Sequence, residues 1–178
     1  MKITNNKKGF TAFSLHERGF TFVELILYVA LVTIILSSLV PFAWNMVQTG
    51  VKSAVVQEVN ASARYISERI KYEIRSATGI NSVSPMSISL ATSTPGTNPT
   101  IVDLADGNIR IRQGANPAVN LNSTNVVINN LLFTNYTSSD NKTKHVQFTM
   151  TIAASFAAAR QEYQDSVVLE SSSEVRSN

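Results

Sequence analysis

FTFVELILYVALVTIILSSLVPFAW, Phe20 to Trp44, is a run of 25 residues that contains one carboxylate, Glu24, and no lysine or arginine. As an α-helix rising 1.5 Å per residue it would extend roughly 37 Å, more than the hydrocarbon thickness of a bilayer, about 30 Å. A helix apolar on every face belongs either in a membrane or in the core of a large domain. The whole chain has 178 residues, enough for one ordinary domain and an appendage, so a membrane-spanning helix is the expectation.

The charges support an orientation. The chain carries a net +3, and Lys2, Lys7, Lys8 and Arg18 against Glu17 account for all of it; the remainder sums to zero. Basic residues therefore precede the apolar run, and the next one, Lys52, follows well after it. This asymmetry predicts a cytoplasmic N-terminus and an exported remainder. A basic balance confined to one short segment gives no reason to expect nucleic-acid binding. Cysteine is absent, which excludes a disulfide framework, a thiol nucleophile and a thiolate metal site.

A carboxylate in hydrocarbon costs about 2.5 to 3.5 kcal/mol on the milder insertion scales, so Glu24 needs an explanation. Either it reaches back to the membrane interface, or it meets a cation from outside its own apolar run.

The surrounding residues carry a resemblance. RGFTFVEL, Arg18 to Leu25, follows a basic leader and opens a long apolar helix, and in this it resembles the signal of type IV prepilins. That family comprises type IV pilins and the pseudopilins of type II secretion and DNA-uptake systems. The resemblance implies cleavage between Gly19 and Phe20 by a prepilin peptidase, with N-methylation of Phe20. Counted from that cut, Glu24 is the fifth residue, where the family has its glutamate, and Pro41 is the twenty-second, where it has a helix-breaking proline. The implied layout is a leader at 1–19, a transmembrane and polymerisation half-helix at 20–44, an amphipathic half at 45–78 and an exported β-rich domain at 79–178. A second Gly-Phe-Thr triplet occurs at Gly9 to Thr11. Cleavage there would put Ser14 in the glutamate's place and His16, Glu17 and Arg18 in the membrane, so that copy is expected to be unprocessed.

Chemistry links the cut to the acid. Cleavage would turn the Phe20 amide into an amine with a reference pKa near 7.7 to 8.0, largely cationic at neutral pH. In filaments of this family, the resemblance implies, the glutamate of one subunit meets the terminal amine of its neighbour. The implied partners are other pilin subunits, the prepilin peptidase, an inner-membrane assembly platform and, before assembly, the membrane itself. The implied location is the inner membrane in a single pass, then an extracellular or periplasmic filament. A stretch from Tyr65 to Ile80 resembles minor pilins and J-type pseudopilins. Type IV pilins often close their domain with a C-terminal disulfide, which this chain lacks the cysteines to form.

Beyond Trp44, Val51, Val55, Val59, Ala63, Ile66, Ile70 and Ile74 recur at steps of three and four, which predicts an amphipathic helix continuing to about Ala77, with Gly79 as its stop. Arg64 with Glu68, and Arg69 with Glu73, are spaced to pair on its solvated side. Residues 79–100 read as a connecting loop with one short strand near Met86 to Leu90. Strand-like runs follow: TIVDL, NIRIRQ, AVNLN, VVINNLLFTNYT, HVQFTMTIAAS and SVVLES. The expected fold class is α+β, a long N-terminal helix packed against a C-terminal antiparallel sheet. SFAAARQEY reads as a loop or a short helical turn.

Candidate chemistry is sparse. Asp103, Asp106 and Asn108 lie close together, but their spacing does not match a calcium loop and Asp-Gly is a turn signal, so no metal is expected. His145 opens a predicted strand as a surface residue. The Asn-x-Ser/Thr triplets at Asn122 and Asn141 read as polar surface. No nucleophile elbow, P-loop or dinucleotide fingerprint is present, and neither enzymatic activity nor a cofactor is expected. The function expected is that of a structural filament subunit. A pseudopilin of a secretion or DNA-uptake system, or an anchored binding module that never polymerises, are the alternatives.

Overall fold

The computed structural model describes residues 19–140, 142–156 and 160–176. The prospective leader before Gly19, including the first Gly-Phe-Thr copy, and Asn141 of the second Asn-x-Thr triplet lie outside the described residues. Two compact units divide the chain, one ending at Trp44 and the other running from Asn45 onward.

One helix, α1, spans Phe22–Ser76, and the fold is α+β as the residue pattern requires. In the second unit its buried positions are Val55, Val59, Ala63, Ile66, Ser67, Ile70, Glu73 and Ile74. Six of these are the apolar repeat; Val51, at its start, is only half-buried. Residues three and four apart stack on one face of a helix, which is why the stripe is continuous.

The sequence reading placed Glu73 on the solvated side, and this is corrected. Glu73 is 3% exposed; its Oε1 lies 2.7 Å from Arg69 Nη2, and Gln113 Nε2 donates to both carboxylate oxygens at 3.4 and 3.5 Å. The i,i+4 spacing is satisfied, but the pair sits where α1 meets the sheet, with Arg69 reaching outward over the Tyr72 ring. Glu68 pairs with Lys71 at 2.5 Å rather than with Arg64.

Two antiparallel sheets, rather than a single one, pack on the second-unit part of α1. The first orders β1 (Gly79–Ser84), β2 (Ser87–Ala91), β3 (Thr100–Ala105), β4 (Asn108–Gln113) and the two-residue β5 (Val119–Asn120). The second orders β6 (Val126–Asn135), β7 (His145–Ala154) and β8 (Ser166–Glu174). Their inner residues join the helix stripe in one core that includes Ile88, Leu90, Val102, Ile109, Phe133 and Phe148. Ser173 and Ser123 add polar ties to the helix, to Lys71 O at 3.5 Å and Glu58 Oε1 at 2.9 Å.

Strand β1 was expected to be loop, and Gly79 to stop the helix. Instead α1 ends at Ser76 and Gly79 opens the strand, hydrogen-bonded against β2. The register shifts between Ile80 and Ser82, a bulge at Asn81 that brings Ile80 and Val83, three apart, onto the core side. The same device operates in β6, where a shift between Ile128 and Asn130 keeps Val126, Ile128, Leu131 and Phe133 all buried. Without the extra residue a three-residue step would turn the second pair outward.

Candidate functional site

Gly19, Phe20 and Thr21 are non-helical, and α1 begins at Phe22. The start is fixed by Thr21, whose hydroxyl oxygen accepts a hydrogen bond from the Glu24 amide at 3.2 Å. Thr-Phe-Val-Glu is the Ser/Thr-x-x-Glu pattern of a capping box, in which the first residue satisfies an orphan amide of the first turn. Sequence reasoning missed Thr21, although that four-residue spacing identifies it. Glu24 is thus also the acid of the first helical turn, where the helix dipole favours negative charge. Among the described residues no cation lies within ion-pairing distance of it.

Every residue from Gly19 to Val47 is exposed, including Phe22, Ile26, Tyr28, Ile34, Leu39, Phe42 and Trp44. Leaving so many large apolar groups in water is strongly unfavourable, at about 25 cal/mol per Å². Three hydroxyl side chains in this stretch turn back onto their own helix. Thr33 Oγ1 donates to Val29 O at 2.7 Å, Ser37 Oγ to Ile34 O at 2.9 Å and Ser38 Oγ to Ile35 O at 2.9 Å. Internal satisfaction of hydroxyls suits a segment surrounded by hydrocarbon, where water cannot substitute. α1 therefore holds a segment long and apolar enough to span a membrane near the N-terminus, compatible with a single-pass anchor.

A helix break at Pro41 is not observed. α1 runs through the proline without interruption. Proline removes only its own amide bond to the carbonyl four residues back, and the flanking turns hold.

The three residues considered for a metal have separate tasks. Asp103 receives two hydrogen bonds from Arg110, Nε at 2.9 Å and Nη2 at 3.0 Å, across the β3–β4 pair. Asp106 and Gly107, with φ of 52° and 72°, form the two-residue turn joining those strands, as the Asp-Gly signal indicated. Asn108 donates to Asp106 O at 3.0 Å and accepts from Asn122 at 2.9 Å. Among the described residues no group of three or more His, Asp or Glu is placed to hold a metal ion.

Asn122 is a structural hub. Its Oδ1 accepts the Ile109 amide at 3.1 Å, and its Nδ2 donates to Asn108 Oδ1 at 2.9 Å, Val126 O at 3.0 Å and Ser123 O at 3.3 Å. It ties β4 to the start of β6, a role the triplet reading did not contain. His145 opens β7, half-buried, with its ring 6.5 Å from that of Tyr136.

The chain matches no protein-family model, no curated protein and no solved structure.

Proposed function

We propose that the chain is a structural subunit of a type IV pilus-like filament, processed between Gly19 and Phe20 and assembled through the apolar part of α1. One observation carries the reading. α1 begins two residues after the Gly19–Phe20 bond, leaves every residue as far as Val47 exposed, and carries the sole acid of that exposed stretch, Glu24, in its first turn. The unfavourable exposure is relieved first by a bilayer and then by neighbouring subunits. Glu24, which has no ion pair among the described residues, meets the Phe20 amine of an adjacent copy once cleavage has created that amine. Two charges about 4 Å apart attract strongly at low dielectric, but desolvation offsets much of the gain, so the pair sets register and recruitment more than bulk stability.

In this reading the N-terminus is cytoplasmic, the second unit is exported, and the partners are the prepilin peptidase, an inner-membrane assembly platform and other pilin subunits. A pseudopilin of a secretion or DNA-uptake system fits the same features, and microscopy of cell-surface filaments separates the two.

The test is the mass and N-terminal sequence of the protein from cells with and without a prepilin peptidase. The expected chain begins at N-methyl-Phe20 only when the peptidase is present, and Glu24→Ala is then cleaved normally but fails to enter filaments. A chain that keeps its leader in both strains would replace this reading with an anchored, non-polymerising binding module.

A further inference from the structure

β1, an edge strand of the first sheet, lies beside β6, an edge strand of the second. At one end the seam is closed, with the Phe133 amide donating to Pro85 O at 2.9 Å. Toward the other end it opens into a cavity of about 130 Å³ lined by Ile80, Asn81, Ser82, Val83, Asn135, Thr137 and Lys144. A single water needs roughly 10 to 15 Å³ of such space, so the cavity admits a small hydrated ion or a functional group.

Its lining is rich in unused donors. Thr137 Oγ1 is buried and has no hydrogen-bond partner, an arrangement that costs free energy unless something unseen satisfies it. Asn135 Oδ1 accepts the Thr137 amide at 2.9 Å, which leaves the Asn135 Nδ2 group available. Lys144, half-buried, makes no ion pair among the described residues; its Nζ sits beside the first residue of β1, 3.8 Å from where a side chain on Gly79 would begin. No carboxylate lines the cavity. The bulge at Asn81 leaves that one residue out of the β1–β2 register, and pairing resumes at Ser82.

We propose that this seam cavity binds a small oxyanion, a carboxylate or phosphate group, held by the Lys144 ammonium and the Thr137 hydroxyl with Asn135 as a further donor. A lysine with no carboxylate beside it in the lining favours a negative ligand, and the Thr137 hydroxyl and Asn135 amide can donate to its oxygen lone pairs. Water alone would satisfy Thr137 but would leave the lysine charge half-buried and unpaired. The proposal does not depend on the filament reading, because every residue in it belongs to the second unit and none to the apolar segment.

The test uses the full chain in detergent micelles, titrated at constant ionic strength with sodium phosphate and, separately, with sodium acetate. Amide shifts of Asn81, Ser82 and Thr137 are followed by NMR. Saturable shifts confined to the seam are expected for at least one probe, and which probe saturates tells phosphate from carboxylate. Lys144→Met and Thr137→Val should each weaken binding about tenfold with the β-sheet amides otherwise unmoved, while Lys144→Arg retains it. Non-saturating shifts into the tens of millimolar for both probes, or an affinity in the Met and Val variants unchanged from the parent's, would overturn the proposal and leave a water-filled cavity. Thr137→Val is nearly isosteric and keeps the test decisive if the lysine variant does not fold.

Discussion

The Thr21 hydroxyl oxygen lies 3.2 Å from the Glu24 amide nitrogen and accepts its hydrogen, fixing the first turn of α1. Loss of such a cap costs about 0.5 to 2 kcal/mol of local helix stability. Thr21→Ala is expected to speed hydrogen exchange at the Glu24 amide, and Thr21→Ser to restore protection. Equal exchange in the alanine variant and the parent would mean that the cap contributes nothing.

Arg69 and Glu73 give a second prediction. Removing Arg69 leaves a carboxylate 3% exposed with only Gln113 beside it, and breaking a buried pair this way costs about 3 kcal/mol or somewhat less, given that Arg69 is partly exposed. Arg69→Ala should therefore lower the urea midpoint clearly. The double variant Arg69→Ala with Glu73→Leu should recover much of the loss, since an apolar replacement removes the stranded charge.

Asn122 should prove costly to replace. Asn122→Ala strands the Ile109 amide and the Val126 carbonyl together, and a destabilisation of about 2 kcal/mol is expected by thermal or denaturant unfolding. A change within a few tenths of a kcal/mol would show that water replaces the carboxamide at no cost.

Gly114 has φ of 60°, and a β-carbon there would sit 2.3 Å from the Gly96 carbonyl oxygen. Gly114→Ala is expected to destabilise by about 1 to 3 kcal/mol through backbone strain, because the obstructing atom is main chain and cannot swing aside. Gly79→Ala, which meets only ordinary contacts at 3.8 Å, is the matched control and should cost less.

The Asp140 carboxyl is held below the usual range, first by the Ser138 hydroxyl at 2.5 Å and then by the Lys142 amide at 3.1 Å, both donating to it. A depressed folded-state pKa means that the contribution of these bonds is complete above the ordinary value of 3.8 and is lost as pH falls through the lowered one. The Lys142 amide resonance should accordingly titrate below pH 3.8, and Asp140→Asn should abolish that step. A titration of the parent at or above the ordinary value would contradict the hydrogen-bonding arrangement.

The elements most legible in the sequence were those whose periodicity is unbroken. The helix stripe from Val55 to Ile74 and the alternation Val146, Phe148, Met150, Ile152 in β7 both appear where the spacing placed them. β1 was illegible because its bulge sets Ile80 and Val83 three apart, which matches neither a regular strand nor a sustained helix. The division into two sheets was equally hidden, since pairing between distant strands leaves no local mark. Glu73 was misplaced because charge spacing alone does not reveal which side of a helix a pair occupies. In the candidate site, Glu24 was conspicuous as the sole charge in an apolar run, whereas Thr21 looked like one more residue of a motif.

The position of the cap bears on how a protease would meet the chain. Endopeptidases grip their substrates in extended form, and a scissile bond inside a helix must first be unwound. With the first turn pinned at Phe22, the Gly19–Phe20 bond lies in exposed, non-helical backbone two residues ahead of α1. Under the proposed processing, the same hydroxyl that starts the helix would act as a ruler, leaving the Gly19–Phe20 bond in non-helical backbone and placing the bonds beyond Phe22 inside a helix.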